Sequence, residues 1–286
     1  DVITAGGRLV IDAVTGVGNG GAIETTVASV DIDNATSGNI EISETNAVTV
    51  FKAVQGTAGN IGIAAAGTIT VANGTTNNAI TAAGSGTITL STSSGGDVLI
   101  NSSIESVTGG IVVAANHVLT IANGAVIDAG SGTIALQAQE NITLGQVATT
   151  NTGTTAVTLT SAVGRIVDGG DTGGADVIAG GRLVIDAVTG VGSGNALETT
   201  VASVDIDNAT SGNIEISDTN AITVFKAVQG TAGNIGIAAS GTITVDNAGA
   251  GNAIAAAGTG TVTLDANGAE SDLLVNDGIL SVNGAI

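Results

Sequence analysis

The sequence contains no proline, cysteine, methionine, tryptophan or tyrosine, and phenylalanine occurs only twice, as Phe51 and Phe225. The absence of cysteine excludes disulfides and thiolate metal sites, so the cysteine pattern indicates no redox compartment. Without tryptophan or tyrosine, the chain has few aromatic surfaces on which a sugar ring could stack. These absences argue against an enzyme that cleaves carbohydrate. A chain without oxidisable sulfur also suits material that is exported and left outside the cell.

Positive charge is scarce as well, with five lysine and arginine residues against 25 aspartate and glutamate residues and a formal net charge of −20. A charge of this sign repels phosphate backbones and anionic lipid surfaces. We therefore expect no nucleic-acid partner. No apolar run reaches the roughly 18 residues that a membrane-spanning helix needs, so we expect no membrane insertion.

Glycine, by contrast, is abundant at 45 residues, and the hydrophobic content of 43% is nearly all alanine, valine, isoleucine and leucine. A compact globular core usually needs aromatic or methionine side chains to fill irregular gaps. Small and β-branched side chains instead suit a narrow interior that repeats itself along the chain.

The sequence repeats itself with an offset of 174 residues, because residues 8–71 and 182–245 align without a gap. The differences in this stretch are Asn19/Ser193, Gly21/Asn195, Ile23/Leu197, Glu44/Asp218, Val48/Ile222 and Ala66/Ser240. The similarity continues to residues 97–111 and 272–286. We therefore assign a first repeat copy to 1–174 and a partial second copy to 175–286. We expect one continuous β-solenoid over 1–286, cut from a longer tandem array.

Within each copy, short runs alternate apolar and polar residues, as in GRLVIDA (7–13), GNIEIS (38–43) and GNIGIA (59–64). Alternation with a period of two, punctuated by glycine and asparagine, is typical of β-strands. The connections vary from about two to about twelve residues, which coils tolerate better than the tight hairpins of a β-sandwich. The sequence therefore predicts an all-β fold, a single-chain parallel β-helix of about 11–12 coils with right-handed crossovers.

The alternation also predicts the core. The residues expected to face inward, and to stack on counterparts one coil away, are Ile40, Ile42, Ile61, Ile63, Ile69 and Val71. The residues expected to face outward between them are Glu41, Ser43, Thr68 and Thr70. The matching phrases at 38–40 and 59–61 further predict a ladder of Asn39 above Asn60.

The run GRLVIDAVTGVGNGGAIETTVASVDIDNATSGNIEISETNAVTV, at residues 7–50, resembles the repeats of filamentous-haemagglutinin-like exoproteins and of giant β-strand-repeat surface proteins of bacteria. Most of the likeness lies in the phrase TGVG…AIETTVASVDIDNATSGNIEI, which recurs at 189–216. The resemblance implies export across an outer membrane, a long β-helical stalk and a role in adhesion or surface architecture. It supplies no functional residue.

Two pairs of aspartates are the candidate metal ligands. Asp31 and Asp33 alternate with apolar residues in VDIDN, so both are expected to face outward on one strand, and Asp205 and Asp207 repeat them. Calcium prefers several oxygen ligands, and such a pair, with the asparagine that follows it, could begin a calcium site. The alternative is a solvated strand face without a metal.

Three further features carry weaker hypotheses. The glycine-rich stretch DGGDTGGADVIAGG, at 168–181, is similar to a single calcium-binding nonapeptide, but such sites need stacked copies. Threonine pairs at 68/70 and 87/89 are similar to the arrays of ice-binding β-helices, although threonine is also a good residue for any exposed strand. His117 is the only histidine, so we expect a surface residue rather than a metal ligand or a member of a catalytic triad.

These patterns predict a structural protein, the repeat region of an extracellular bacterial filament or giant adhesin at the cell surface. We expect no enzymatic activity, no catalytic residue and no cofactor, with calcium as the one ion to consider. The expected partner is another copy of the repeat, through end-to-end self-association or covalent continuation of the array. The alternative is a calcium- or glycan-binding module of a secreted protein, whose partners would be glycans of a host, a neighbouring cell or a matrix.

Overall fold

The structure is a computed structural model that describes residues 2–18, 20–73, 78–170, 174–249 and 251–286. Parallel strands stack as a β-solenoid of about 12 turns, which confirms the predicted fold class. None of the described residues is helical. Within these ranges, no helix is therefore long and apolar enough to cross a membrane.

The described residues form 28 strands. Their bounds are β1 Val2–Ala13, β2 Ile23–Asn34, β3 Ile40–Glu44, β4 Val48–Gln55, β5 Ile61–Ala65, β6 Ile69–Val71, β7 Ile80–Ala82, β8 Ile88–Thr92, β9 Val98–Ile100, β10 Ile104–Ser106, β11 Ile111–Ala115, β12 Leu119–Ile121, β13 Val126–Asp128, β14 Ile134–Ala138, β15 Ile142–Leu144, β16 Gln146–Thr149, β17 Val157–Ser161, β18 Ile166–Asp168, β19 Val177–Ala187, β20 Leu197–Asn208, β21 Ile214–Asp218, β22 Ile222–Gln229, β23 Ile235–Ala239, β24 Ile243–Val245, β25 Asn252–Ala256, β26 Val262–Ala266, β27 Leu273–Val275 and β28 Gly278–Ser281.

The chain divides into two compact units. The first unit comprises Asp1–Gln139 and Gly145–Thr150, and the second comprises Glu140–Leu144 and Asn151–Ile286. The first unit therefore holds β1–β14 and β16, and the second holds β15 and β17–β28. The predicted continuity of one solenoid over 1–286 stays a prediction.

In the first unit, strands of successive turns pair in parallel with like residues opposite each other. One ladder joins Ile40 to Ile61, Ile61 to Ile88, Ile88 to Ile111 and Ile111 to Ile134. All five isoleucines are buried. Stacking them removes apolar surface from water, which is favourable by roughly 25 cal/mol per Å². The repeating sequence thus becomes a repeating core.

The second unit uses the same register at the equivalent positions. Ile214 lies opposite Ile235, and Ile235 lies opposite Val262. Strand β20 pairs with β19 through Val204 and Leu183, just as β2 pairs with β1 through Val30 and Leu9. The sequence repeat is therefore also a repeat of strand pairing.

The predicted core positions are confirmed. Ile40, Ile42, Ile61, Ile63, Ile69 and Val71 are all buried. Glu41, Ser43, Thr68 and Thr70 lie between them and are partly exposed. The asparagine ladder is also present, because the side-chain oxygen of Asn39 accepts a hydrogen bond of 3.0 Å from the backbone N–H of Asn60.

A column of glycines lies where the turns enter the isoleucine ladder: Gly38, Gly59, Gly86, Gly109 and Gly132. A Cβ at Gly109 would lie 2.1 Å from the carbonyl oxygen of Gly86, and a Cβ at Gly132 would lie 2.0 Å from that of Gly109. Both distances are far below any normal contact, so the backbone of one turn occupies the space of a side chain on the next. Glycine is required in this column because no space is left for a Cβ atom.

Candidate functional site

The predicted calcium ligands Asp31 and Asp33 lie on the outer face of β2, where the strand alternation places them. The pairing of β2 with β4 shifts at this point, since Val30 lies opposite Val50 but Asp31 lies opposite Lys52. Phe51 is the additional residue of this β-bulge. Because a bulge turns two consecutive side chains to one face, Phe51 and Lys52 are both partly exposed.

The bulge brings cations onto the aspartates. The guanidinium of Arg8, on β1, lies 4.3 Å from the centroid of the Phe51 ring, and its Nη2 lies 2.9 Å from Asp31 Oδ2. The ammonium of Lys52 forms an ion pair with Asp33. The contacts join three consecutive turns, through β1, β2 and β4. We call Arg8, Asp31, Asp33, Phe51 and Lys52 the outer cluster.

The second unit contains the same cluster at the equivalent positions. The guanidinium of Arg182 lies 3.7 Å from the centroid of the Phe225 ring, and its Nη1 lies 3.8 Å from Asp205 Oδ2. Lys226 forms an ion pair with Asp207. The two clusters together contain both phenylalanines and four of the five cationic side chains of the chain.

A further carboxylate borders the cluster of the second unit, because Asp186 on β19 lies opposite Asp207 on β20. Burial raises the pKa of Asp186 above its ordinary value, and the carboxylates of Asp207 and Asp205 raise it further. Lys226 opposes them and lowers the pKa. At neutral pH this face therefore carries like charges that repel one another, partly offset by the cations.

These contacts decide what the outer cluster can do. Exposed ion pairs contribute about 0.2–1 kcal/mol each, and an exposed cation–π contact contributes roughly 0.5–1 kcal/mol. A calcium ion would compete with Lys52 and Arg8 for the aspartate oxygens. Asn34 does not join them, because its side chain is buried on the opposite face of the strand. Calcium binding at Asp31, Asp33, Asp205 and Asp207 stays a prediction.

On the inward face of β2, Asn34 belongs to a buried network of amide side chains. Its Oδ1 accepts a hydrogen bond of 2.8 Å from the backbone N–H of Gly16, and its Nδ2 donates to the carbonyl of Ser37 at 2.9 Å and to Gln55 Oε1. Gln55 in turn donates to the carbonyl of Thr36 at 2.9 Å. Asn208 and Gln229 repeat the pair at 3.0 Å. The network satisfies backbone groups that the tight turn leaves without strand partners.

A buried carboxylate lies at the end of the third strand of each copy. Glu44 accepts hydrogen bonds from Thr25 Oγ1 at 2.7 Å and from the backbone N–H of Val27 at 3.0 Å. Asp218 accepts the equivalent bonds from Thr199 and Val201. Burial raises the pKa of Asp218, whereas these hydrogen bonds lower it. The carboxylates thus bind neighbouring strands together, a structural use that we did not predict.

The stretch 168–181 contributes two carboxylates to a second group of acidic residues, which Glu198 of β20 completes; residues 171–173 lie outside the described part of the chain. Asp168, Asp176 and Glu198 each place a carboxylate oxygen within 4.8 Å of the others. Asp176 is fully buried, and its Oδ2 accepts a hydrogen bond of 3.0 Å from the backbone N–H of Glu198. Calcium takes six to eight oxygen ligands, so three carboxylates do not by themselves complete its coordination.

The remaining predicted features are dispersed. Thr70 lies between Thr49 and Leu99, whereas Thr89 lies in another ladder between Gly62 and Val112. The threonines therefore do not form the flat array that the ice-binding hypothesis needs. His117 is partly exposed, as predicted, and its Nδ1 lies 2.7 Å from Asp97 Oδ1.

Each unit also has a shallow groove on the outer face of its isoleucine ladder. The groove of the first unit, about 230 Å³, is lined by Glu41 and by small residues such as Gly62, Ala64 and Ser91. The groove of the second unit, about 410 Å³, has Glu215 and Asp265 at the equivalent places. The grooves arise because Gly62 and Gly236 interrupt columns of larger side chains.

No protein-family model, curated protein or solved structure matches this chain. The resemblance to filamentous-haemagglutinin-like exoproteins therefore rests on the sequence phrases quoted above, together with the β-solenoid fold.

Proposed function

We propose that this chain is a structural segment of an extracellular bacterial filament or giant adhesin, located at the cell surface and without catalytic activity. The observation that carries the proposal is the identity of strand pairing in the two copies. Val30 and Ile32 meet the same partners on β1, Leu9 and Ile11, as their equivalents meet on β19. A fold whose added sequence copies reproduce the same pairing lengthens by duplication, as solenoid stalks do.

The chemistry of the surface supports this role. Four of the five cationic side chains are held in the two outer clusters, beside carboxylates, and the chain carries a net charge of −20. Like charge along the sides of a rod opposes lateral aggregation. In the proposed filament, growth runs along the axis, coil on coil.

Two experiments test the proposal. Electron microscopy examines the native material, and antibodies raised against the chain are used to label intact source cells. We expect surface labelling and uniform filaments. Seven coils of 4.8 Å give an axial repeat of about 34 Å for each 174-residue copy. Intracellular labelling, or short discrete rods that bind calcium or glycans, would contradict the proposal and favour the binding-module alternative.

A further inference from the structure

Asparagine followed by glycine is a dipeptide in which the asparagine side chain is readily converted to aspartate, because glycine has no side chain to hinder attack by its own backbone nitrogen. The chain contains five such dipeptides. Three of them lie wholly within the described residues, at 123–124, 267–268 and 283–284, and alanine follows each of the three. Their local sequences are therefore matched, and differences between them arise from the fold.

Asn123 and Gly124 form the tip of the turn that leads from β12 to β13. The backbone N–H of Ala125 donates a hydrogen bond of 2.9 Å to the carbonyl of Ala122, and Gly124 has a φ of +85°. This is the geometry of a type II turn. Both Asn123 and Gly124 are exposed. Apart from the chain neighbours, no atom of the described residues lies within 4 Å of the position that a Cβ at Gly124 would occupy. The peptide between the two residues thus has room to rotate.

The glycines of the other two dipeptides are held against a neighbouring turn. A Cβ at Gly268 would lie 1.9 Å from the carbonyl oxygen of Ser240, and a Cβ at Gly284 would lie 2.1 Å from that of Gly260. The backbone N–H of Gly284 also donates a hydrogen bond of 3.0 Å to Ser281 Oγ. Rotation of either peptide therefore requires the turn to open first.

We propose that Asn123 is a site of spontaneous deamidation in the folded chain, a modification that goes beyond the proposed function and does not depend on it. The backbone nitrogen of Gly124 bonds to Cγ of Asn123, its proton passes to the side-chain nitrogen, and that nitrogen leaves as ammonia. The five-membered imide so formed then adds water. Opening at one carbonyl yields aspartate and opening at the other yields isoaspartate, and either product adds a negative charge to the turn at neutral pH.

The fold around the turn is compatible with these products. Strands β12 and β13 are held by their neighbours in the core, where Ile121 lies opposite Ile100 and Ile127 lies opposite Ile104. The reacting side chain lies outside this core. The modification therefore changes the charge of the surface while the strand pairing on both sides of the turn is retained.

The test incubates the purified full chain in mildly alkaline buffer, below its melting temperature, and follows the mass of fragments around each asparagine over time. We expect Asn123 to convert at least about tenfold faster than Asn267 and Asn283, because these two sites react only after local opening. Incubation in denaturant is the control, in which the three rates should become similar. Equal rates in the folded chain, or an equal lead of Asn123 in denaturant, overturns the proposal.

Two variants assign the reacting residue. Asn123→Gln should abolish the mass gain of this fragment, because glutamine would have to form a six-membered imide, which closes much more slowly. Asn101→Gln replaces an exposed asparagine that serine follows, and should leave the gain at Asn123 unchanged. A gain that persists in Asn123→Gln, or one that Asn101→Gln abolishes, overturns the assignment.

Discussion

The seven residues GRLVIDA occur twice, at 7–13 in β1 and at 181–187 in β19, and the two copies differ in burial. In the second unit, β17 lies on β19 with Val157 opposite Leu183 and Leu159 opposite Ile185, and both β19 side chains are fully buried. In β1, the equivalent Leu9 and Ile11 are only partly buried.

The comparison separates two causes of burial. The alternating pattern decides which side chains face inward, and this is the same in both strands. Coverage by a neighbouring turn decides how much water is removed from them. In a solenoid each turn contacts only its neighbours, so stability is close to a sum of local terms. Matched substitutions in β1 and β19 can therefore measure the contribution of one covering turn.

The largest expected effect is at the paired leucines. Leu183→Ala should lower the free energy of unfolding of its region by about 2–5 kcal/mol, the usual cost of removing a buried leucine. Leu9→Ala, the matched control, should cost clearly less because its side chain is already in contact with water. Local stability can be followed by hydrogen exchange of β19 and β1. Equal losses would mean that coverage by β17 adds nothing.

The second prediction concerns two equivalent glycines. A Cβ at Gly181 would lie 2.3 Å from the carbonyl oxygen of Gly153, which belongs to the covering turn. A Cβ at Gly7 would lie 2.8 Å from Thr4 Oγ1, which can rotate away, 3.0 Å from Thr4 Cβ and 3.2 Å from the Thr4 carbonyl oxygen, so its backbone contact is the less severe of the two. We expect Gly181→Ala to cost about 1–3 kcal/mol, as overpacking does, and Gly7→Ala to cost less. Thermal unfolding of the two variants checks the order, and a reversed order contradicts it.

The third prediction uses the outer clusters. The side chain of Arg182 is 19% exposed and that of Arg8 is 45% exposed. Cation–π contacts strengthen as the cation loses water, so Phe225→Leu should cost about 1 kcal/mol and Phe51→Leu about 0.5 kcal/mol. Leucine retains apolar contact while removing the ring face. Denaturant unfolding of both variants measures the difference, and a larger loss at Phe51 would refute the explanation from exposure.

A smaller effect is expected from the pKa of Asp186. Burial and the carboxylates of Asp207 and Asp205 raise this pKa, so the folded state binds the proton more strongly than the unfolded state does. The ionised group therefore destabilises the fold. This loss diminishes as the pH falls through the raised pKa and is gone below the ordinary pKa of aspartate. Asp186→Asn should raise the melting temperature slightly at pH 7, with the difference vanishing in acid. A lower melting temperature at pH 7 would contradict this.

The smallest expected effect is that of calcium on the outer clusters. Because Arg8, Lys52, Arg182 and Lys226 already contact the paired aspartates, a chelator should leave the melting temperature unchanged. A calcium-dependent rise that Asp33→Asn and Asp207→Asn abolish would support the calcium site. A rise that both variants retain would point to another site.

Much of the fold could be predicted because the signal is local and repeated. Alternation in GNIEIS and GNIGIA predicted that Ile40 and Ile61 face inward. Each follows its Gly-Asn pair directly, and this shared position predicted that one stacks on the other, as the strand pairing shows. The same alternation points Asn34, Glu44 and Gln55 inward, yet polar residues are rarely buried without partners. Their partners are backbone groups of other turns, which sequence spacing does not reveal. The buried network was therefore missed.

The candidate site was predictable in part. Asp31 and Asp33 face outward as the alternation requires, but the cations beside them come from β1 and β4 through a bulge at Phe51. A bulge depends on the pairing of two strands rather than on either strand alone. The contact between Arg8 and Phe51, which are 43 positions apart in the sequence, could therefore not be predicted from the sequence.

By itself, the sequence determined the strands, the inward and outward faces and the repetition, because side-chain direction in a strand follows a period of two. Only the tertiary structure decided which inward residues are fully buried and which outward charges have partners. Both depend on the turn that lies next in space. That is why Leu183 and Ile185 are fully buried, whereas Leu9 and Ile11, in the same seven-residue sequence, are only partly buried.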